Sequence, residues 1–135
     1  MPGVPLGSVQ FDRENIHEVL VNREHKTPGP SRILEDAYFI ADDYQQVKVK
    51  PGLIMAINST SNKYVPWNSA AAYGPGSDTA VSLLDVFVDL TYGEVEVSGV
   101  THATAVEDRC YVWGGNMGTV PAAVKTDLAL IQWRS

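Results

Sequence analysis

From Ala37 onward no apolar run exceeds five residues, and Gly, Pro, Asn or Asp closes each one within a few positions. A core helix needs roughly 10 to 12 residues at 3.6-residue spacing, whereas short runs bounded by turn residues are the pattern of strands. The chain is therefore mainly β. Tyr38-Phe39-Ile40 and Val47-Lys48-Val49-Lys50 read as strands, the second ending at a Pro51-Gly52 turn. Leu53 to Ile57 is an apolar strand closed by Asn58 to Asn62, and Lys63 to Trp67 returns as the second arm of a hairpin. Pro66 lacks an N–H and places that return strand at an edge or near its end.

Asn68 to Asp78, with three alanines and Gly74-Pro75-Gly76, reads as a long surface loop. In Val81 to Leu90 the residues Leu84, Val86, Val88 and Leu90 alternate with a face carrying Asp85, Phe87 and Asp89, the period of a strand buried on one side. Asp85 and Asp89 are accordingly expected on a solvated face. After the turn Thr91-Tyr92-Gly93, Glu94 to Val97 alternates again, and Gly99 falls where a bulge would change the inward face before Val100. Tyr111-Val112-Trp113 runs into a glycine-rich loop, Gly114 to Gly118. Pro121 suits the first position of a short helix reaching about Leu128, because its missing N–H costs nothing there. Leu130 to Trp133 fits either an extension of that helix or a final strand.

Residues 1–36 differ from the rest: they hold seven Pro or Gly residues and few apolar ones. Such a segment does not offset its own ordering entropy, roughly 1 to 2 kcal/mol per residue, and reads as an extended arm. Ile16, Val19 and Leu20 have the spacing of one or two helical turns, too short to stand alone. Val4, Leu6, Val9 and Phe11 complete the arm's candidate contact residues, suited to strand addition on a partner. The division expected is an arm over 1–36 and a β-rich domain over 37–135.

The 135 residues carry a net charge of −6, and no Lys or Arg occurs between Tyr64 and Asp108. Nucleic-acid backbones are bound by clustered cations, so a nucleic-acid partner is not expected. No apolar stretch approaches the roughly 18 residues of a membrane span, and the N-terminus lacks the basic and apolar regions of a secretory signal. A cytoplasmic site of synthesis is the expectation. The single cysteine, Cys110, permits no intrachain disulfide and fits a small buried apolar residue between strand-like flanks. The three histidines, 17, 25 and 102, are scattered, and neither glycine-rich loop has the lysine of a phosphate loop or the dinucleotide fingerprint. Asp85 and Asp89, four residues apart on one strand, lie roughly 13 Å from each other, too far for paired-carboxylate glycoside chemistry. No catalytic residue, metal or cofactor is assigned.

Three stretches carry a resemblance when taken in order. They are Val47 to Ala56 with its Pro51-Gly52 turn, Asn62-Lys63-Tyr64-Val65-Pro66, and Ser77 to Leu84 leading into Val88 to Val97. Together they resemble the lambda-type head decoration proteins of tailed phages, over about half of the chain from Val47 to Val112. The sequence departs from that pattern at Ser82, where a glycine is usual, and at Asn62, which replaces the glycine before Lys63-Tyr64. The resemblance implies a compact domain of β-tulip or small-barrel type with one or two short helices. It further implies a homotrimer on the outside of an expanded capsid, contacting the major capsid protein, and it carries no catalytic residues across. Trp67, Trp113 and Trp133 exceed what a small core usually buries and are the candidates for trimer or capsid contact. An alternative is a carbohydrate- or receptor-binding module, with Trp67, Tyr73 and Tyr92 available to stack on sugars.

Overall fold

The structure is a computed structural model that describes Leu20, residues 27–39 and residues 45–134. Its strands are β1 (Thr27–Leu34), β2 (Lys48–Val49), β3 (Ile54–Ile57), β4 (Tyr64–Pro66), β5 (Ser82–Leu83), β6 (Val88–Asp89), β7 (Val95–Val106) and β8 (Ile131–Arg134). Among the described residues one α-helix, α1, covers Ala122–Asp127, and one 3-10 turn covers Glu107–Arg109. The main sheet runs β1-β4-β3-β5-β7-β8, and β1 also pairs with β7, so five of its strands close into a barrel. β8 joins the outside of that ring in parallel with the second half of β7, and β2 and β6 form a separate two-stranded sheet. The mainly β fold with one short helix is thus as the sequence pattern indicates.

The hairpin β3–β4 forms for local reasons. Ile57 lies opposite Tyr64, and the Asn58 side chain accepts hydrogen bonds from the Thr60 and Ser61 amides at 2.9 and 3.4 Å, an Asx turn that bends the chain back. Pro66 ends β4 opposite Met55, consistent with its missing donor. The following loop is held from within: the Asn68 carbonyl oxygen of the side chain accepts from Ala70 and Ala72, and the Ser77 hydroxyl donates to the Gly74 carbonyl at 2.8 Å. That loop also docks on the hairpin turn, where the Ser59 amide donates to the Pro75 carbonyl at 2.8 Å.

Alternation along β3 splits the interior in two. Met55 points with Leu34, Tyr64 and Val97 into one apolar cluster, together with Val49 and Val88 from the small sheet and Leu90 just after it. Ile54 and Ala56 point with Val65, Leu83 and Val100 into the other, which Val124 of α1, Leu128 just after it and Ile131 of β8 cover. Leu53, Ile54, Met55 and Ala56 are all fully buried. Burying the three large ones contributes roughly 1.5 to 3 kcal/mol each.

Several expectations change. Residues 27–34, placed by the sequence in the arm, form β1 and pair with β7 from Thr27↔His102 to Leu34↔Val95. Pro28 and Pro30 are accommodated because the register slips on both sides of the Pro28–Val100 pair, where the ladder needs fewer donors. That irregularity lies beside Gly99, where the bulge was expected. Ala37 and Tyr38 form a turn, not a strand, and Ile40 lies outside the described residues. Val81 to Leu90 is not one strand: β5 and β6 are separated by Leu84 to Phe87, and Val86 turns outward at 44% exposure. Pro121 caps α1 in an extended conformation one position earlier than expected, and the C-terminal tail is a strand.

Gly52 sits at the junction of these parts. Its φ is +102°, its amide donates to the Leu84 carbonyl at 2.6 Å, and its carbonyl accepts from the Tyr111 amide at 2.9 Å. A Cβ there would lie 2.1 Å from the Arg109 carbonyl oxygen. Gly52→Ala is expected to cost at least about 2 kcal/mol in urea denaturation. Gly93→Ala, at φ +128° with nothing within 4 Å of the added carbon, serves as the comparison and costs about 1 kcal/mol.

Candidate binding surface

β5 and β7 meet at one pair, Leu83↔Val100, and then part. The chain after β5 leaves to pair Val88 and Asp89 with Val49 and Lys48 of β2, while Val95 to Ser98 of β7 follow β1. The divergence leaves an open groove of about 480 Å³, lined by residues 85–89 on one side and 95–98 with Val100 on the other. Val97, Val88 and Val100 form its buried base, and Val86, Phe87 and Val95 stand exposed at 44, 44 and 37% along its rim.

Among the described residues, the ionisable ones that line the groove are Asp85, Asp89 and Glu96. Asp85 is only 4% exposed, which corrects the expectation that it shares a solvated face with Asp89. The chain between them is not a continuous strand, so the even spacing assumed for the two carboxylates does not apply. Asp89 is exposed and accepts the Thr91 amide at 2.9 Å. Bonding to the Thr91 side chain and amide, helped by the Lys48 charge, holds its carboxyl below the usual range and keeps it ionised at neutral pH. A general acid would need the opposite shift. His102 is exposed on β7, outside the groove lining.

The sequence candidates for contact are not brought together. Trp67 is 4% exposed and its indole N–H donates to the Asp78 carbonyl at 2.9 Å, so it is a core residue and offers no outer surface. It was misread because only its position in the barrel, not its neighbours in sequence, decides its burial. Trp113 is half-buried in an edge-to-face contact with Phe39, ring centres 4.6 Å apart, and belongs to the other cluster. Trp133 is half-buried on β8. Leu20, assigned to the arm, is 4% exposed, bridges Ala105 of β7 and belongs to the core. Val4, Leu6, Val9, Phe11, Ile16 and Val19 lie outside the described residues. For sugar stacking, Trp67 is buried and Tyr73 packs on Tyr38 at 5.0 Å, which leaves Tyr92, 96% exposed, as an isolated ring. The groove itself was missed: Val86 and Phe87 were read as part of a continuous strand, and nothing local in the sequence shows that β5 and β7 part.

Among the described residues no group of three or more His, Cys, Asp or Glu is placed to hold a metal ion, and no helix is long and apolar enough to cross a membrane. Searches for related proteins found no matching family model, curated protein or solved structure.

Cys110 is fully buried, and its thiol donates to the Val106 carbonyl at 3.3 Å. Burial, with the nearby Glu107 charge, pushes its pKa up to about 12. Burial likewise raises that of Tyr111, whose hydroxyl donates to the Lys50 carbonyl at 2.7 Å. Both groups must stay protonated in the fold and ionise more readily when unfolded. Their contribution to stability is complete below pH 9 and falls as pH rises toward about 12, because the unfolded chain then binds fewer protons. A thiol reagent at pH 8 is expected to leave Cys110 unmodified in the native protein and to label it fully in denaturant. Melting curves should show a loss of stability above pH 9 that Cys110→Ala reduces.

Proposed function

We propose that this protein is a head decoration protein, a non-enzymatic accessory that binds as a homotrimer at local three-fold positions on the outside of an expanded tailed-phage capsid. There it contacts the major capsid protein and braces the shell against the pressure of packaged DNA. It is made in the host cytoplasm and ends on the virion surface.

The observation that carries the reading is the ordered series of turn and strand motifs from Val47 to Val97. Its segments fall on β2, the Pro51-Gly52 turn, β3, β4, β5, β6 and the start of β7, consecutive elements of one small closed β domain. Charge supports the outward placement: Asp78, Asp89, Glu94, Glu96 and Asp108 are exposed in the stretch without Lys or Arg. Exposed carboxylates without nearby cations in the sequence repel packaged DNA. A trimer touching several capsid subunits at once gains from simultaneous contacts, each new one being effectively intramolecular.

Purified protein mixed with empty expanded heads of the phage that encodes it is expected to saturate the local three-fold positions, seen by electron microscopy. Sedimentation at high micromolar concentration should give three times the 14.7 kDa chain mass, either free or once driven by the shell. Absence of binding to expanded heads, with a strictly monomeric mass, overturns the reading.

The arm needs a shorter deletion than its composition implies. Removing residues 2–30 takes Leu20 from the core and the first half of β1 from the barrel, so that truncation is expected to unfold the protein. Removing residues 2–15 spares both. That variant is expected to keep its melting temperature and to lose shell occupancy in cosedimentation. Full occupancy would place the capsid contact on the β domain instead.

A further inference from the structure

We propose that residues 119–134, the segment holding α1 and β8, form a strap that undocks as one unit from a barrel that stays closed. Such a device stands whether or not the protein decorates capsids.

The ring is complete without this segment. Its pairings, β1–β4, β4–β3, β3–β5, β5–β7 and β7–β1, use no residue beyond Val106. β8 adds to the outside through parallel pairs running from Ala103↔Ile131 to Val106↔Arg134, and parallel ladders are slightly weaker per residue than antiparallel ones. The segment therefore leaves without parting any strand of the ring from another.

Its attachment is narrow. Val120, Val124, Leu128 and Ile131 are its buried apolar side chains and all belong to one cluster, whereas β3 is held on both faces. The Asp127 carboxylate accepts from the Ala80 amide at 3.0 Å, and Lys125 pairs with Glu107 of the 3-10 turn at 2.9 Å. The side chains of that ion pair are 40 and 26% exposed, so water screens it. Docking also leaves one group unsatisfied, because the Trp133 indole N–H is buried without a hydrogen-bond partner. Undocking returns it to water, which lowers the cost of opening.

The hinge is Gly118. Its φ is +87°, its amide donates to the Cys110 carbonyl at 2.8 Å and so holds the glycine-rich loop to the ring, and Thr119 beyond it is exposed. A glycine moves between left- and right-handed conformations at little steric cost, so rotation there swings the strap alone. Opening uncovers one side of the cluster beneath α1 and leaves residues 103–106 of β7 without β8. Apolar surface and a bare strand edge are what other chains pair with, and the strap governs access to both.

The test is native-state hydrogen exchange of the full chain, followed by NMR in guanidinium chloride below the unfolding transition. A six-residue helix does not persist once undocked, so the Leu128 and Ile131 amides report opening. The Ala80 amide lies outside the strap but is bonded to it, and should follow them. The Ile54, Trp67 and Leu84 amides, bonded around β3, report global unfolding. The strap amides and Ala80 are expected to share one opening step, with a smaller denaturant dependence than global unfolding and exchange at least about tenfold faster than the β3 group. Gly93→Ala strains the ring, so it should speed the β3 group about fivefold and leave the strap unchanged. Asp127→Ala weakens only the docked state and should speed both groups alike, several-fold. Circular dichroism checks that both variants fold, and Gly93→Ala decides alone should Asp127→Ala fail that check. One opening step shared by all these amides, independent fraying of the strap amides without denaturant dependence, equal responses of strap and ring to Gly93→Ala, or a strap indifferent to Asp127→Ala overturns the proposal. None of these outcomes bears on whether the protein binds capsids.

Discussion

The fold depends on β3 being buried on both faces. A strand with one wet face tolerates change at every second residue, but here Leu53, Ile54, Met55 and Ala56 have no exposed surface at all. Leu53 and Met55 belong to one core and Ile54 and Ala56 to the other, so a slip of one residue would exchange the two sets and fill neither. Register is fixed as well by what touches the start of the strand. The Leu53 carbonyl accepts from Leu84, and the Tyr111 carbonyl accepts from Ile54, which ties β3 to segments far away in sequence. The left-handed Gly52 makes this junction possible, since a side chain there would collide with the Arg109 backbone.

Closure of the barrel follows from that centre. β4 and β5 flank β3, β7 takes β5, and β1 spans from β4 to β7 and shuts the ring. Closing a small sheet removes edges that would otherwise invite pairing with other chains. An ion pair across the seam, Lys63 to Glu94 at 2.9 Å, joins the start of β4 to the approach of β7. Both side chains are about a third exposed, so water screens the pair and it guides alignment more than it adds stability. The hydrogen-bonded ladder between β1 and β7 holds the seam, with apolar Leu34 and Val97 beneath it.

What the sequence made legible was what neighbouring residues decide. Pro51-Gly52, the Asn58 turn, the Asn68 loop, and a short helix after Pro121 all follow from side chains acting on their own backbone. Cys110 is buried as expected, but its flanks are a 3-10 turn and an isolated bridge at Tyr111 and not the strand that was read there. What was not legible required a partner distant in the chain. Pro28 and Pro30 argue against a strand until β7 supplies a bulged ladder that tolerates them. The alternation from Val81 to Leu90 argues for one strand until β3 claims Leu83 and Leu84 and β2 claims Val88, leaving Val86 and Phe87 outside. Trp67 looked like a contact residue because aromatic content alone does not say which side of a barrel wall a ring occupies.

The same competition that breaks the strand makes the groove. Leu83 and Leu84 are held inward by β3, and Val88 and Leu90 are held by the small sheet and the cluster beneath it, so the link between them must cross the gap with few contacts of its own. An apolar side chain in such a link has no place in either core, and Val86 and Phe87 accordingly stand at 44% exposure. Exposed singly, such residues are ordinary. Here they line one groove with Val95, under a rim that carries Asp89 and Glu96, in the stretch of the chain that contains no Lys or Arg. Leaving apolar side chains wet forgoes free energy that covering them would release, so it is the pairing of Leu83 with β3 and of Val88 with β2, on either side of the link, that sets its course.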